Sequence, residues 1–250
     1  MSYEKQNFYM NQVLTADHLN HIEDGIVKNE AAIMEKQSKN SNIVYYALGD
    51  SITAGSYSND EGRGISARDA DWAYGRQLAN RIGCKFVNLG VPGAALVQGI
   101  ANQANSVKAD ATLVTITGGA NDYYSGGAEI GTVNDTDKTT ICGALKYAVQ
   151  TIATKAPYAR IVLMSPFIIK YAGASFDTKW SRNFKPKNFN YDELNKAFKD
   201  VADYCNVEYI DGTTQGPTNI YNITAVQKDG VHPTIEYYSI IAEWLESKLF

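Results

Sequence analysis

Three residue types that together can carry out acyl transfer occur at separate places in the chain. Ser51 follows Gly49 and Asp50 at the end of an apolar run. His232 is the one histidine of three that lies outside the N-terminal stretch, and histidine is the natural general base near neutral pH. Asp229, three residues earlier, could accept the second imidazole N–H and fix the tautomer. Taken alone, an Asp-x-x-His spacing is a weak signal, and it more commonly marks a surface turn.

Acyl transfer also requires hydrogen-bond donors for an oxyanion. Gly90 lies in the glycine-containing stretch 87–93, where backbone N–H groups are approachable. Asn121, in Gly118-Gly119-Ala120-Asn121-Asp122, supplies a side-chain amide. Each has a plainer interpretation, Gly90 as a simple turn and Asn121 as an Asx turn. Only their combination with Ser51 and His232 favours a catalytic site.

Alternating apolar segments predict the framework that positions these residues. Short runs rich in β-branched and aromatic residues predict five strands, and longer periodic stretches between them predict helices. Strands that alternate with helices indicate an α/β fold, a parallel sheet with right-handed crossovers in a three-layer α/β/α domain. The predicted strands are 43–48, 85–89, 111–117, 160–164 and 207–210, and the predicted helices are 72–82, 95–107, 139–155, 191–204 and 234–249.

The carboxyl ends of neighbouring parallel strands share one edge, so Ser51, Gly90 and Asn121 are expected to meet there with the 229–232 loop. With all four motifs in this order, the region 43–250 resembles the SGNH (GDSL-type) hydrolases, with Ile52 in place of the usual leucine. The resemblance implies a flavodoxin-like sheet of strand order 2-1-3-4-5 and ester hydrolysis through an acyl-enzyme, without metal or cofactor.

The same resemblance implies a role for each motif residue. Ser51 is the implied nucleophile, His232 the base and then the acid, and Asp229 the orienting carboxylate. The backbone N–H groups of Ser51 and Gly90, with the Asn121 side chain, form the implied oxyanion hole. Two further motif residues, Asp50 and Asp122, are interpreted as structural hydrogen-bonding residues.

The first 42 residues differ from the rest and predict a helical segment followed by a polar linker at 36–42. Apolar residues there step by three and four, as in a coiled coil, over little more than two heptads. Such a face could pack on its own domain or associate with other copies. Residues 13–26 also resemble the start of phage and prophage tail or baseplate proteins, which implies a homotrimer carried on a tail. The five positions with the coiled-coil spacing of three and four are Leu19, Ile22, Ile26, Asn29 and Ile33.

Two long segments, 56–71 and 166–189, fit neither element type, and loops of that length are often functional. The second carries six aromatic and five basic residues, which favours a carbohydrate ligand, although a plain solvated loop explains them almost as well. The predicted substrate is therefore an O-acetyl or other short-chain ester on a saccharide or cell-surface glycopolymer. The alternatives are a lipase or thioesterase of the same family, and a non-catalytic adhesion or structural tail module that retains the fold.

Composition excludes several other classes. A net charge of −4 argues against a nucleic-acid partner. The sequence contains no apolar run of 18 residues, the length that would predict a membrane-spanning helix. The polar, acidic start lacks the core of a signal peptide, so we expect a protein that is cytoplasmic as made, or tail-associated. Three cysteines without short spacing suggest neither a disulfide framework nor a zinc site.

Overall fold

The computed structural model describes residues 15–170 and 180–250. Its strands are β1 (Val44–Leu48), β2 (Tyr57–Ser58), β3 (Gly64–Ile65), β4 (Lys85–Asn88), β5 (Leu113–Ile116), β6 (Arg160–Met164) and β7 (Glu208–Ile210). Five of them form one parallel sheet in the order β4-β1-β5-β6-β7, which is the predicted order 2-1-3-4-5. All five predicted sheet strands are confirmed, with ends that move by at most two residues. The pair β2 and β3 forms a separate antiparallel hairpin that the sequence did not predict.

Helices cover both faces of the sheet and confirm the α/β/α class. They are α1 (Ala16–Asn40), α2 (Ser51–Ala54), α3 (Tyr74–Ile82), α4 (Ala101–Gln103), α5 (Ile141–Lys155), α6 (Tyr191–Cys205), α7 (Gly212–Gln215), α8 (Ile223–Val226) and α9 (Tyr237–Leu249). One face of the sheet packs against α5 and α6, and the other packs against α3 and α9. The short helices α2, α7 and α8 were not predicted, because a four-residue helix shows no apolar period.

Strand β1 lies in the middle of this arrangement. Its side chains alternate between the two apolar layers, Tyr46 and Leu48 on the α5/α6 side and Tyr45 and Ala47 on the α3/α9 side. All four are buried, which explains why the segment reads as an unbroken apolar run. The buried strand fixes where its carboxyl end, and hence Ser51, stands.

The predicted helix at 95–107 is interrupted near its start. Val97 has an extended ψ of 119° and Gln98 a φ of +66°, so two helical pieces meet at a kink. The side chain of Asp122 accepts hydrogen bonds from the backbone N–H groups of Leu96 (2.6 Å) and Val97 (3.3 Å). These two bonds hold the kinked backbone against the loop that follows β5.

The N-terminal helix α1 begins behind Thr15, which caps it in a reciprocal pair with His18. It runs on through Asn40, so most of the predicted polar linker is the last part of the helix, and only three residues separate it from β1. Near this end Asn40 Nδ2 donates to the carbonyl of Ile82 (3.1 Å). The division into domains at 42/43 stays a prediction. Residues 13 and 14 of the tail-like motif lie outside the described part of the chain.

Candidate active site

Ser51 is the first residue of α2, directly after the turn that ends β1. Asp50 is the N-cap, and its Oδ1 accepts the backbone N–H of Ile52 at 3.0 Å. A Cβ at position 49 would overlap the Thr53 hydroxyl, so only glycine fits between strand and helix. The side-chain amide of Gln103 holds this glycine through its N–H and its carbonyl, both at 2.8 Å. The turn therefore presents Ser51 rigidly at the carboxyl edge of the sheet.

The structure brings His232 and Asp229 to this serine. His232 Nε2 lies 3.0 Å from Ser51 Oγ, and His232 Nδ1 lies 2.6 Å from Asp229 Oδ2. An ionised carboxylate can only accept, so the proton belongs on Nδ1 and the lone pair of Nε2 faces the hydroxyl. This is the arrangement in which the imidazole can take the serine proton.

Asp229 is fixed by its own turn. Its Oδ1 accepts the backbone N–H groups of Val231 (2.9 Å) and His232 (2.7 Å). Burial alone would raise the pKa of Asp229, but the hydrogen bond and charge of His232, with these two N–H groups, outweigh it and lower the pKa. Asp229 is therefore ionised near neutral pH and available to orient the imidazole.

The predicted oxyanion donors have different surroundings. The N–H of Ser51 starts a helix and has no acceptor within it. Asn121 Nδ2 donates one hydrogen to the carbonyl of Ala94 at 2.9 Å, which leaves its second hydrogen. The N–H of Gly90, however, donates to Asn88 Oδ1 at 2.9 Å. Gly90 packs against α2, where a Cβ would lie 2.5 Å from the N of Ala54, so its lack of a side chain has a packing reason.

A second glycine of the same loop is better exposed. Gly93 has φ +79°, and a Cβ there would meet nothing within 4 Å. No hydrogen bond from its N–H occurs to any described residue. The carbonyl of the next residue, Ala94, accepts the hydrogen bond from Asn121, so the loop that carries Gly93 is bound to Asn121. Gly93 was not among the predicted site residues, although it stands in the same short motif as Gly90.

Two carboxylates are buried beneath these residues. Burial raises the pKa of Asp50 to about 6, against the lowering effect of the Ile52 N–H. Burial also raises the pKa of Asp122, which holds Leu96 and Val97 as described above. Both side chains thus make the hydrogen bonds expected of structural residues.

The predicted aromatic and basic loop is less open than its composition suggests. Residues 171–179 lie outside the described part of the chain. Within the rest, Phe189 is buried in the core and the Lys170 ammonium lies over the Trp180 ring, 4.7 Å from its centroid. Arg182 pairs with Asp192 of α6, and the neighbouring Lys185 pairs with the next acidic residue of that helix. These side chains hold the loop on the domain, and they do not form a free cationic surface.

Three other findings concern the described residues only. No group of three or more His, Cys, Asp or Glu side chains is placed to hold a metal ion. None of the described helices is both long and apolar enough to cross a membrane. Cys84, Cys142 and Cys205 are free thiols, and burial raises the pKa of each above its ordinary value.

Known proteins share this architecture. The structure is similar to a carbohydrate acetylesterase, Est24, from Sinorhizobium meliloti (TM-score 0.60, 17% identity, covering 83% of this chain and 98% of that one). It is also similar to an aryl esterase of M. smegmatis (0.59, 18%, 83% and 98%) and to a lipase/acylhydrolase of Enterococcus faecalis (0.57, 20%, 83% and 95%). At these identities the likeness shows the fold. No curated protein matches the sequence.

The sequence itself matches the family model described as GDSL-like Lipase/Acylhydrolase over residues 47–240. This range contains Ser51, Asn121, Asp229 and His232, and it leaves α1 outside. The chain belongs to the GDSL-like lipase/acylhydrolase family.

Proposed function

We propose that this protein is a serine esterase that removes short acyl groups, acetyl above all, from an acylated carbohydrate. The observation that carries the proposal is the continuous hydrogen-bond chain from Ser51 Oγ through His232 to Asp229, with separations of 3.0 and 2.6 Å. A purely binding module has no need of such a chain, which makes the adhesion alternative the weaker one.

The proposed reaction follows from these atoms. His232 Nε2 takes the hydroxyl proton as Ser51 Oγ attacks the ester carbonyl, and Asp229 stabilises the resulting imidazolium. His232 then gives this proton to the leaving alkoxide, so that the alcohol departs and an acyl-serine remains. Water attacks the acyl-serine by the same route in reverse, releasing the carboxylic acid and the free serine. Each cycle therefore consumes one ester and one water.

Three donors are proposed for the oxyanion: the N–H of Ser51, the side-chain amide of Asn121 and the N–H of Gly93. We place Gly93 here in preference to the predicted Gly90, because the Gly90 N–H already has an acceptor in Asn88. The Gly93 N–H has no acceptor among the described residues, and the carbonyl of the next residue, Ala94, binds Asn121. Donors held in place before the reaction stabilise the developing charge without reorganisation.

The preference for a short acyl group rests on the sequence. A lipase or thioesterase would need a long apolar groove for its acyl chain, and no strongly apolar lid segment occurs near the motif residues. The carbohydrate part of the proposal is supported by the described activity of the Sinorhizobium meliloti neighbour.

The direct test is acetate release from a panel of acetylated saccharides, with Ser51→Ala as the blank. We expect release by the native protein and none by the variant, with equal far-UV circular dichroism. Unchanged turnover by Ser51→Ala would place the nucleophile elsewhere. A series of p-nitrophenyl esters of increasing length tests the acyl group, and a preference for eight or more carbons would select the lipase alternative.

We further propose that α1 joins copies of the chain, as a trimer. The helix has 25 residues and hence a length of about 37 Å. Two residues of its predicted coiled-coil face, Leu19 and Ile26, are 50% and 51% exposed, so this face is open to a second copy. A polar residue such as Asn29 within such a face typically fixes register and copy number. Attachment to a phage tail would follow from the resemblance of residues 13–26.

Light scattering on the full chain tests this proposal. We expect a mass three times 27.5 kDa for the native sequence. Ile26→Asp should give a monomer that keeps its esterase activity, because the site lies in the other part of the chain. A native monomer would refute the association.

A further inference from the structure

The unpredicted hairpin of β2 and β3 folds back onto the loop that carries Asp229 and His232. Ser58 pairs with Gly64 and Tyr57 with Ile65, so the hairpin places one small residue of each strand side by side. At its tip the Lys228 ammonium pairs with the Asp60 carboxylate. Contacts along the hairpin therefore reach the residue just before Asp229.

Ser58 ties the two ends of the Asp229–His232 turn together. Its Oγ accepts the backbone N–H of Lys228 at 3.0 Å and donates to the carbonyl of His232 at 2.7 Å. Its own N–H donates to the carbonyl of Pro233 at 3.0 Å. The side chain is 2% exposed, so water does not replace these bonds readily. One hydroxyl thus fixes the backbone on both sides of the turn.

Gly64 lies directly against the hydrogen bond between the two catalytic side chains. A Cβ at this position would stand 2.6 Å from Asp229 Oδ2 and 3.2 Å from His232 Nδ1. The side chains of Asp229 and His232 are 12% and 21% exposed. A backbone without a side chain therefore covers the bond closely, and cover of this kind strengthens a charged hydrogen bond.

We propose that the hairpin 57–65 is a positioning element for catalysis, in which Ser58 sets the backbone of the acid–base loop and Gly64 confines the Asp229–His232 bond. The inference rests on the proposed esterase function and assigns residues to it that lie outside the family motifs described above. Ser58 is hydrogen-bonded to the loop that carries His232 and Asp229, and Gly64 lies against their side chains, so both act through these two residues.

Gly64→Ala is the sharpest test, because its methyl group would press on Asp229 Oδ2. The carboxylate must rotate or move away, and the imidazole loses its orienting partner. With p-nitrophenyl acetate we expect kcat to fall about 100-fold, the cost of a catalytic group displaced by about 1 Å, with KM within twofold. Glu61→Gln, an exposed change in the same hairpin, is the matched control and should keep native kinetics.

Two readouts separate positioning from a general structural effect. The downfield proton resonance of His232 Nδ1–H should be present in the native protein and in Glu61→Gln and lost or shifted in Gly64→Ala. In an Asp229→Asn background, Gly64→Ala should cost little further activity, since the bond it disturbs is already changed. A full additional loss there would overturn the proposal, as would native kcat in Gly64→Ala or an effect on KM alone.

Ser58→Ala is the second variant and keeps the inference testable if Gly64→Ala does not fold. It removes the hydrogen-bond partner of the Lys228 N–H and of the His232 carbonyl, so we expect kcat to fall by about tenfold or more. In the Asp229→Asn background, Ser58→Ala should again cost little further activity. Additive losses or native kcat would overturn the proposal. Failure of the esterase function itself is distinguishable, because it appears as a native protein without turnover or as turnover that survives Ser51→Ala, whereas the His232 Nδ1–H resonance tests the positioning without any substrate.

Discussion

Replacing Asp50 by asparagine should stabilise the protein, although Asp50 stands next to the proposed nucleophile. The side chain is 3% exposed, and burial raises its pKa from an ordinary 3.8 to about 6. A carboxyl whose pKa is higher in the folded state favours folding when it is protonated. The stabilising contribution of protonated Asp50 to the free energy of unfolding is complete below about pH 3.8 and is lost as pH rises through about 6.

The magnitude follows from the same values. A difference of about two in pKa corresponds to about 3 kcal/mol, which is the cost of keeping Asp50 ionised in the folded protein above pH 6. Asparagine has no charge to bury, and its Oδ1 can still accept the N–H of Ile52 and cap α2. The free energy of unfolding of Asp50→Asn should exceed the native value by up to about 3 kcal/mol at pH 7–8, and the difference should vanish near pH 4.

Urea titrations at several pH values between 4 and 8 measure this difference as a change in midpoint at constant m. The control is Asp60→Asn, because Asp60 is exposed and the hydrogen bond and charge of Lys228 lower its pKa. Neutralising Asp60 should give no gain at pH 7–8. Equal or lower stability of Asp50→Asn at pH 7–8, or a gain that persists at pH 4, would show that Asp50 is not held as a costly buried charge.

Three further predictions concern the site directly. Asn121→Ala should lower kcat by about 10²–10³ with little change in KM, because the amide donor acts on the transition state. Steady-state kinetics with p-nitrophenyl acetate measure both constants. A change confined to KM would contradict this role. Asp229→Asn should lower kcat by about 10⁴ without loss of the circular dichroism signal, because an amide no longer requires the proton on His232 Nδ1. Activity within tenfold of native would be inconsistent with an orienting carboxylate. The pKa of Asp229 is lowered in the folded protein, so its contribution to stability is lost as pH falls below its ordinary pKa, and Asp229→Asn should flatten the acid limb of the unfolding free energy measured in urea.

Much of the fold was predictable because the sheet strands are buried on both faces. The segment Val44–Leu48 reads as apolar throughout, and so does Arg160–Met164 after its first residue. Helix and strand then alternate with little choice of topology. The meeting of Ser51 with His232 followed from this topology, since both stand at the carboxyl edge of the sheet. The elements that the sequence predicts correctly are those in which one pattern extends over several residues.

Features that depend on a single side-chain conformation were not predictable. The Gly90 N–H is not available to an oxyanion because it donates to the Asn88 side chain. The orientation of that side chain leaves no signal in the spacing of apolar residues, so the sequence does not distinguish Gly90 from Gly93. The hairpin at 57–65 has two residues in each strand, too few to show alternation. The aromatic residues of 166–189 suggested a binding surface, but composition does not distinguish a surface ring from the buried Phe189.

The residues next to the proposed catalytic groups explain how three separate strand ends stay in register. Asp50 caps the helix that starts at Ser51, and Asp122, the neighbour of Asn121, binds the N–H groups of Leu96 and Val97. The second of these links fastens the loop after β4 to the loop after β5, so Gly93 and Asn121 cannot move apart independently. Both carboxyls are buried with raised pKa values, and their ionised forms therefore reduce stability. An oxyanion hole built before substrate arrives requires this rigidity, and the lost stability is the cost of fixing it.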